Sequence, residues 1–197
     1  MIKRIFDIIV SFIGIVLTSP IFLLGVFMVK ISSKGPVFYK SQRVGKNGKL
    51  FLMYKFRTMV ENADKIGGPS TASDDPRLTK VGLFLKKFQI DELPQLINVF
   101  KGEMSLVGPR PEVPFYVNMM TEEERKIILS VKPGITDFAS LWNFHEGELL
   151  KGAEDPEKEY MEKIRPEKLR LQKKYIKEMS FWTDIKIIFK TVLKLFK

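Results

Sequence analysis

Twenty-two consecutive residues, Ile8 to Val29, carry no charge, and 16 of them are apolar. At about 1.5 Å of rise per residue such a helix is long enough to cross the hydrocarbon core of a bilayer. The run exceeds the ~7–15 residues of a secretory signal and no small-x-small cleavage site follows it, so it is expected to remain in the mature protein. Ser19-Pro20 falls near its middle, where proline forfeits the hydrogen bond to the Val16 carbonyl and disfavours helix in the residue before it. Basic residues flank both ends, Lys3 and Arg4 before and Lys30, Lys34, Lys40 and Arg43 after, which gives a single span conflicting orientations. A segment that enters and leaves by one membrane face satisfies both constraints. We therefore read residues 1–30 as a re-entrant helix-break-helix with its break at Ser19 and Pro20; the competing reading is one kinked span.

The remainder, residues 31–197, has the length of one compact domain. The chain has no cysteine and one histidine, His145, which excludes a disulfide framework, a thiol nucleophile and a Cys- or His-rich metal site. Apolar-rich runs on either side of Asn47-Gly48 predict a β-hairpin with a type I′ turn. Its second strand places Lys55 and Arg57 on one face, although a charged, solvated strand edge would show the same pattern. Glu61 to Pro76 reads as a loop, Val81 to Phe88 as a helix, and a further helix should open near Asp91 and end before Gly102. Gly108-Pro109-Arg110-Pro111 is a rigid turn around one arginine. Thr121 begins a capping box, with its helix stopped by Pro133-Gly134. The fold class is thus α+β, mostly helical, with a small β-hairpin and interfacial amphipathic helices.

Charge is concentrated at the other end. Of a formal net charge of +10, residues 163–197 contribute +8, from 11 basic and 3 acidic side chains. Lys186, Lys190 and Lys194 form one stripe of a helix over 180–197 whose other faces are apolar, the pattern of a helix lying among lipid headgroups. Membrane lipids are therefore the expected partner. Nucleic acid is not, since no recognised motif is present and the aromatics do not interleave with the basic tail.

Asp91-Glu92 at a helix start is the strongest candidate for chemistry. Neighbouring helical residues project about 100° apart, so the two carboxylates suit different tasks. One, favoured as an anion by the helix dipole, would attack phosphorus; the other would hold Mg²⁺ or accept a proton. Ordinary helix punctuation, an Asp N-cap followed by Glu and Pro, explains the same residues.

Seven motifs in order narrow these alternatives: Ser19-Pro20 in the apolar segment, Gln42-Arg43-Val44-Gly45, Tyr54-Lys-Phe-Arg-Thr-Met59, Asp75-Pro-Arg-Leu-Thr79, Asp91-Glu-Leu-Pro-Gln-Leu-Ile-Asn-Val99, Lys101-Gly-Glu-Met-Ser-Leu-Val-Gly-Pro-Arg-Pro111 and Lys132-Pro-Gly-Ile-Thr136. Over nearly its whole length the chain resembles the small monotopic phosphoglycosyl transferases of bacteria. The resemblance implies a catalytic region on the cytoplasmic face of the inner membrane. It implies transfer of a phosphosugar from a UDP-sugar to a polyprenyl (undecaprenyl) phosphate, with release of UMP, Mg²⁺ as cofactor and an aspartyl-phosphosugar intermediate. Such a reaction initiates glycoconjugate or polysaccharide assembly. By position, Asp91 would be the nucleophile and Glu92 its partner, both near the metal. Lys55, Arg57 and Arg110 would neutralise phosphates, with Arg110 held by Pro109 and Pro111, and Gln42, Arg43 and Arg77 would be further site residues. The chain departs from the family's usual pattern over Asp137 to Glu146 and at Gln172, where many members carry an acid. The sugar and the downstream pathway are not transferred by the resemblance, and a homodimer is left open. A non-catalytic peripheral adaptor binding anionic lipids is the alternative from another class, and displacement at the sugar carbon with release of UDP is a third.

Overall fold

The computed structural model describes residues 2–68 and 70–195, so the last two residues of the predicted 180–197 helix lie outside the described residues. Helix α1 spans Ile2–Ser32 and hairpin strands β1 and β2 span Phe38–Val44 and Leu50–Phe56. Helix α2 (Lys80–Lys87), a 3₁₀ turn (Ile90–Glu92) and α3 (Gln95–Lys101) follow, then β3 (Ser105–Val107), α4 (Pro114–Asn118), α5 (Glu122–Ile128) and β4 (Gly134–Thr136). Short helices α6 (Phe138–Trp142), α7 (Glu146–Leu149) and α8 (Pro156–Glu159) lead through a π-helical turn (Tyr160–Ile164) into α9 (Arg165–Glu178) and α10 (Phe181–Leu195).

One correction concerns α1, which continues through Ser19-Pro20 as a single helix of 31 residues instead of breaking there. The hydroxyl of Ser19 donates to the Val16 carbonyl at 2.8 Å, the acceptor that Pro20 leaves vacant, and this substitutes for the missing backbone bond. Along α1 the stripe Asp7, Ser11, Gly25 and Val29 is buried against the rest of the chain, whereas Phe12, Val16, Leu17, Leu23, Leu24 and Phe27 are exposed.

Both ends of α1 are fastened to the same body. Arg4 donates to the Val99 and Phe100 carbonyls at 2.6 and 2.8 Å, supplying a cation to the C-terminal turn of α3. Asp7 accepts from the Ser105 hydroxyl and the Leu106 amide, both at 3.1 Å. At the other end Val29 packs with Phe56 and Leu85, and Arg57 donates to the Ser33 and Lys34 carbonyls.

The hairpin forms as predicted, with Asn47 and Gly48 both at positive φ, but its strands close at Val44 opposite Leu50 around a five-residue loop rather than a two-residue turn. The free edge of β2 is covered by Asn98, whose side chain accepts from the Tyr54 amide at 3.0 Å and donates to the Leu52 carbonyl at 2.7 Å. The capping box at Thr121 is present. Unforeseen is the parallel pair of β3 and β4. The chains cross so closely there that a Cβ on Gly134 would lie 2.0 Å from the Gly108 nitrogen.

Candidate active site

The second helix expected from Asp91 onwards is split. Gln89 adopts φ 56°, unusual for a residue with a side chain, and redirects the chain into the 3₁₀ turn that carries Asp91 and Glu92; α3 starts only at Gln95. Asp91 therefore does not cap a continuous helix, and burial, not a helix dipole, governs its ionisation. It is buried and raised to about 6 by desolvation; Lys55 opposes this shift, Glu92 adds to it, and Lys86 and Arg110 oppose it. Among the described residues, its carboxylate makes no hydrogen bond or ion pair.

Glu92 has the opposite surroundings. Lys55 Nζ lies 2.9 Å from Oε1, Arg110 Nη1 lies 3.0 Å from Oε2, and Arg110 Nη2 also pairs with Oε1. Burial would raise Glu92, but Arg110 and Lys55 outweigh it and hold the carboxyl well below the usual range. One carboxylate is thus locked as an anion by two cations. Its neighbour is left unpaired in a poorly solvated place.

Arg110 is positioned by more than its prolines. Gly108 and Gly134 donate to the Thr136 and Pro109 carbonyls at 3.0 Å each, fixing the main chain immediately before Arg110 to β4. Gln172, wholly buried in α9, donates to the Arg110 carbonyl at 3.3 Å, so the amide has a structural part here. Arg43 reaches the Pro111 carbonyl at 3.3 Å, and burial followed by repulsion from Arg110 lowers its pKa. Gln42 is exposed.

Two of the expected site arginines, Arg57 from the phosphate-neutralising set and Arg77 from the further site residues, are occupied elsewhere. Arg57 is buried with both terminal nitrogens on the carbonyls after α1. Arg77 pairs with Asp75 at 2.7 Å and donates to the Ala63, Gly68 and Ser70 carbonyls, knotting the loop before α2. Neither contacts Asp91 or Glu92. The sequence reading instead missed Lys86, whose amine is lowered by burial while Asp91 draws it upward. Its signal was weak because a lysine in the last turn of an amphipathic helix usually faces water. Asp137 is a buried cap of α6, accepting from the Ser140 amide at 2.7 Å, and is raised by desolvation.

No group of three or more Asp, Glu, His or Cys side chains able to hold a metal occurs among the described residues. Mg²⁺ typically uses one or two carboxylates together with substrate phosphates, a requirement that the unpaired Asp91 fits. Glu92 fits poorly, because both its oxygens are engaged by cations.

This arrangement can be set beside known proteins. A family model described as bacterial sugar transferase matches residues 1–197. The chain belongs to the bacterial sugar transferase family. It is 38% identical over 193 residues to the UDP-N-acetylgalactosamine-undecaprenyl-phosphate N-acetylgalactosaminephosphotransferase of Aeromonas hydrophila, covering 97% of this chain and 43% of that protein. To the exopolysaccharide production protein ExoY of Sinorhizobium fredii it is 35% identical, covering 96% of this chain and 83% of that protein. To the UDP-glucose:undecaprenyl-phosphate glucose-1-phosphate transferase of Escherichia coli it is 39% identical, over 98% of this chain and 40% of the relative. The chain thus spans less than half the length of two of these relatives and most of the third.

Proposed function

We propose that this sugar transferase moves a sugar phosphate from a UDP-sugar to undecaprenyl phosphate through a covalent intermediate on Asp91. The observation that carries this reading is the division of labour in the dyad, in which Glu92 is bound to Lys55 and Arg110 while Asp91, one residue away, is buried and unpaired. Asp91 oxygen attacks the phosphorus bearing the sugar, the bond from that phosphorus to the bridging oxygen breaks, and UMP leaves. A phosphate oxygen of the lipid then attacks the same phosphorus, the bond to Asp91 breaks, and the lipid diphosphosugar is released. The cations matter because donor, acceptor and nucleophile are all anionic and would otherwise repel one another. Lys55, Lys86 and Arg110 supply that positive surface, with Glu92 holding two of them in register. Mg²⁺, held by Asp91 and the donor's diphosphate, would draw charge from the leaving phosphate. A carboxylate with a pKa near 6 suits the nucleophile, being more basic than an ordinary aspartate yet mostly ionised at pH 7.

The membrane arrangement belongs to the same proposal. A 31-residue helix tied at Arg4 and Asp7 and again at Val29 to one body supports both of its ends lying at a single membrane face, because a spanning helix would put those ends on opposite sides of the bilayer and the body cannot be on both. The exposed apolar side of α10, including Trp182, Phe189, Val192 and Leu193, supports contact with the same leaflet. UDP-sugars are available at the cytoplasmic face of the inner membrane, which supports that face as the side on which the reaction runs.

The test is nucleotide release from a panel of UDP-sugars with undecaprenyl phosphate and Mg²⁺. UMP is expected, together with a phosphosugar adduct on Asp91 detectable by mass spectrometry when acceptor is withheld. Release of UDP, or undiminished activity in Asp91→Asn, would overturn the proposal.

A further inference from the structure

The segment from Asn143 to Glu146 is drawn against the catalytic turn by contacts that the mechanism does not use. Gln89, the residue that redirects the chain into that turn, donates from Nε2 to the Phe144 carbonyl at 3.3 Å. Asn143 Nδ2 donates to Glu146 Oε2 at 3.1 Å, and Lys168 Nζ lies 3.9 Å from that oxygen. The Asn143 side-chain oxygen is buried without a hydrogen-bond partner. Glu146 Oε1 makes no hydrogen bond among the described residues, and its side chain is 40% exposed. Burial works against the charge on Lys86, Arg110 and Lys168, and Glu146 is among the anions opposing it at all three. The carboxylate therefore stands within electrostatic reach of two cations, Lys86 and Arg110, that also act on Asp91.

An acid in this position is wrong for a phosphate, which it repels. It is right for a neutral group with hydrogens to donate, since an ionised carboxylate only accepts. In the donor, the group joined directly to the phosphorus under attack is the sugar; uracil is separated from it by the ribose and a second phosphate. We propose that Glu146, oriented by Asn143 and Lys168, accepts a hydrogen bond from one hydroxyl of the transferred sugar and thereby sets donor specificity. This inference rests on the function proposed above and adds the residue that reads the sugar.

The experiment measures kcat/KM for UMP release with the best UDP-hexose of the panel and with analogues in which single hydroxyls are replaced by hydrogen or fluorine. For the unaltered enzyme one analogue should be poorer by about 10–100-fold, the loss expected for one hydrogen bond to a charged group. In Glu146→Ala, which removes the acceptor, and in Glu146→Asp, which shortens the reach by one methylene, that penalty should collapse to within about threefold while inhibition by UMP stays unchanged. A general structural fault would depress all donors alike and would leave the penalty in place. Persistence of the penalty in both variants overturns the assignment, and so does a parallel weakening of UMP, which would put Glu146 on the uridine. Absence of UMP with every donor would instead overturn the function itself, and circular dichroism matching the unaltered chain confirms that the variants are folded.

Discussion

Asp91 sets nucleophilicity against stability. Its folded pKa of about 6 lies above the ordinary 3.8, so the folded state binds the proton more tightly than the unfolded chain does. The stabilising contribution of the neutral acid is full below about pH 4 and is lost as pH rises through about 6, a difference of about 3 kcal/mol. Asp91→Asn should therefore abolish transfer yet raise stability by about 1–3 kcal/mol at pH 7.5, measured by denaturant unfolding in detergent. A less stable variant would show that the anion is compensated in the folded protein. If Asp91 is the nucleophile proposed above, UMP release should fall about tenfold per pH unit below 6, because only an ionised carboxylate attacks. Glu92 depends on shape as well as charge. Arg110→Lys replaces a two-toothed grip with a point charge and should cost about 10²-fold in kcat. Rates within twofold would exclude the grip as a catalytic requirement.

At the scale of elements, α2 decides where the turn carrying Asp91 and Glu92 lies. Its Gly82 touches the main chain at the end of the hairpin, and a Cβ there would sit 1.8 Å from the Thr58 carbonyl oxygen. Gly82→Ala must shift α2, and with it Lys86 and the turn carrying Asp91, so it should lower stability by about 3 kcal/mol and reduce activity together. A melting temperature unchanged in Gly82→Ala would show that α2 can move freely. The sequence made such elements readable where the signal is local. The Asn47-Gly48 turn, the Thr121 capping box and the α2 pattern depend on neighbours a few residues away. Contacts between distant segments were hidden. Arg57 and Arg77 carry the same charge as Arg110, but their donors meet main-chain carbonyls, and charge spacing cannot distinguish the two fates. The β3–β4 pairing was concealed because its strands have three residues each and lie either side of two helices. Ser19-Pro20 predicted a break because proline removes a donor, but the hydroxyl that takes over the vacant Val16 carbonyl belongs to the same motif.

For the whole molecule, the bilayer stands in for part of a hydrophobic core. The domain encloses one stripe of α1 and leaves its remaining circumference apolar and exposed, a surface that water would penalise and lipid would not. If both ends of α1 stay on the body that binds the soluble donor, Asp91 can receive a sugar phosphate from water and deliver it to a lipid without leaving the interface. This geometry makes a testable demand, and the absence of native cysteine simplifies the experiment. Single cysteines at the exposed positions Ile2 and Ile31 should both react with a membrane-impermeant maleimide in inside-out vesicles and neither in right-side-out vesicles. Cysteine in place of Leu17, which is 72% exposed on the protein but lies on the apolar side, should stay unreacted in both until detergent is added. Labelling of Ile2→Cys from the outer side with Ile31→Cys labelled from the inner side would mean that α1 spans, and the contacts of Arg4 and Asp7 with the domain could not then exist in the membrane.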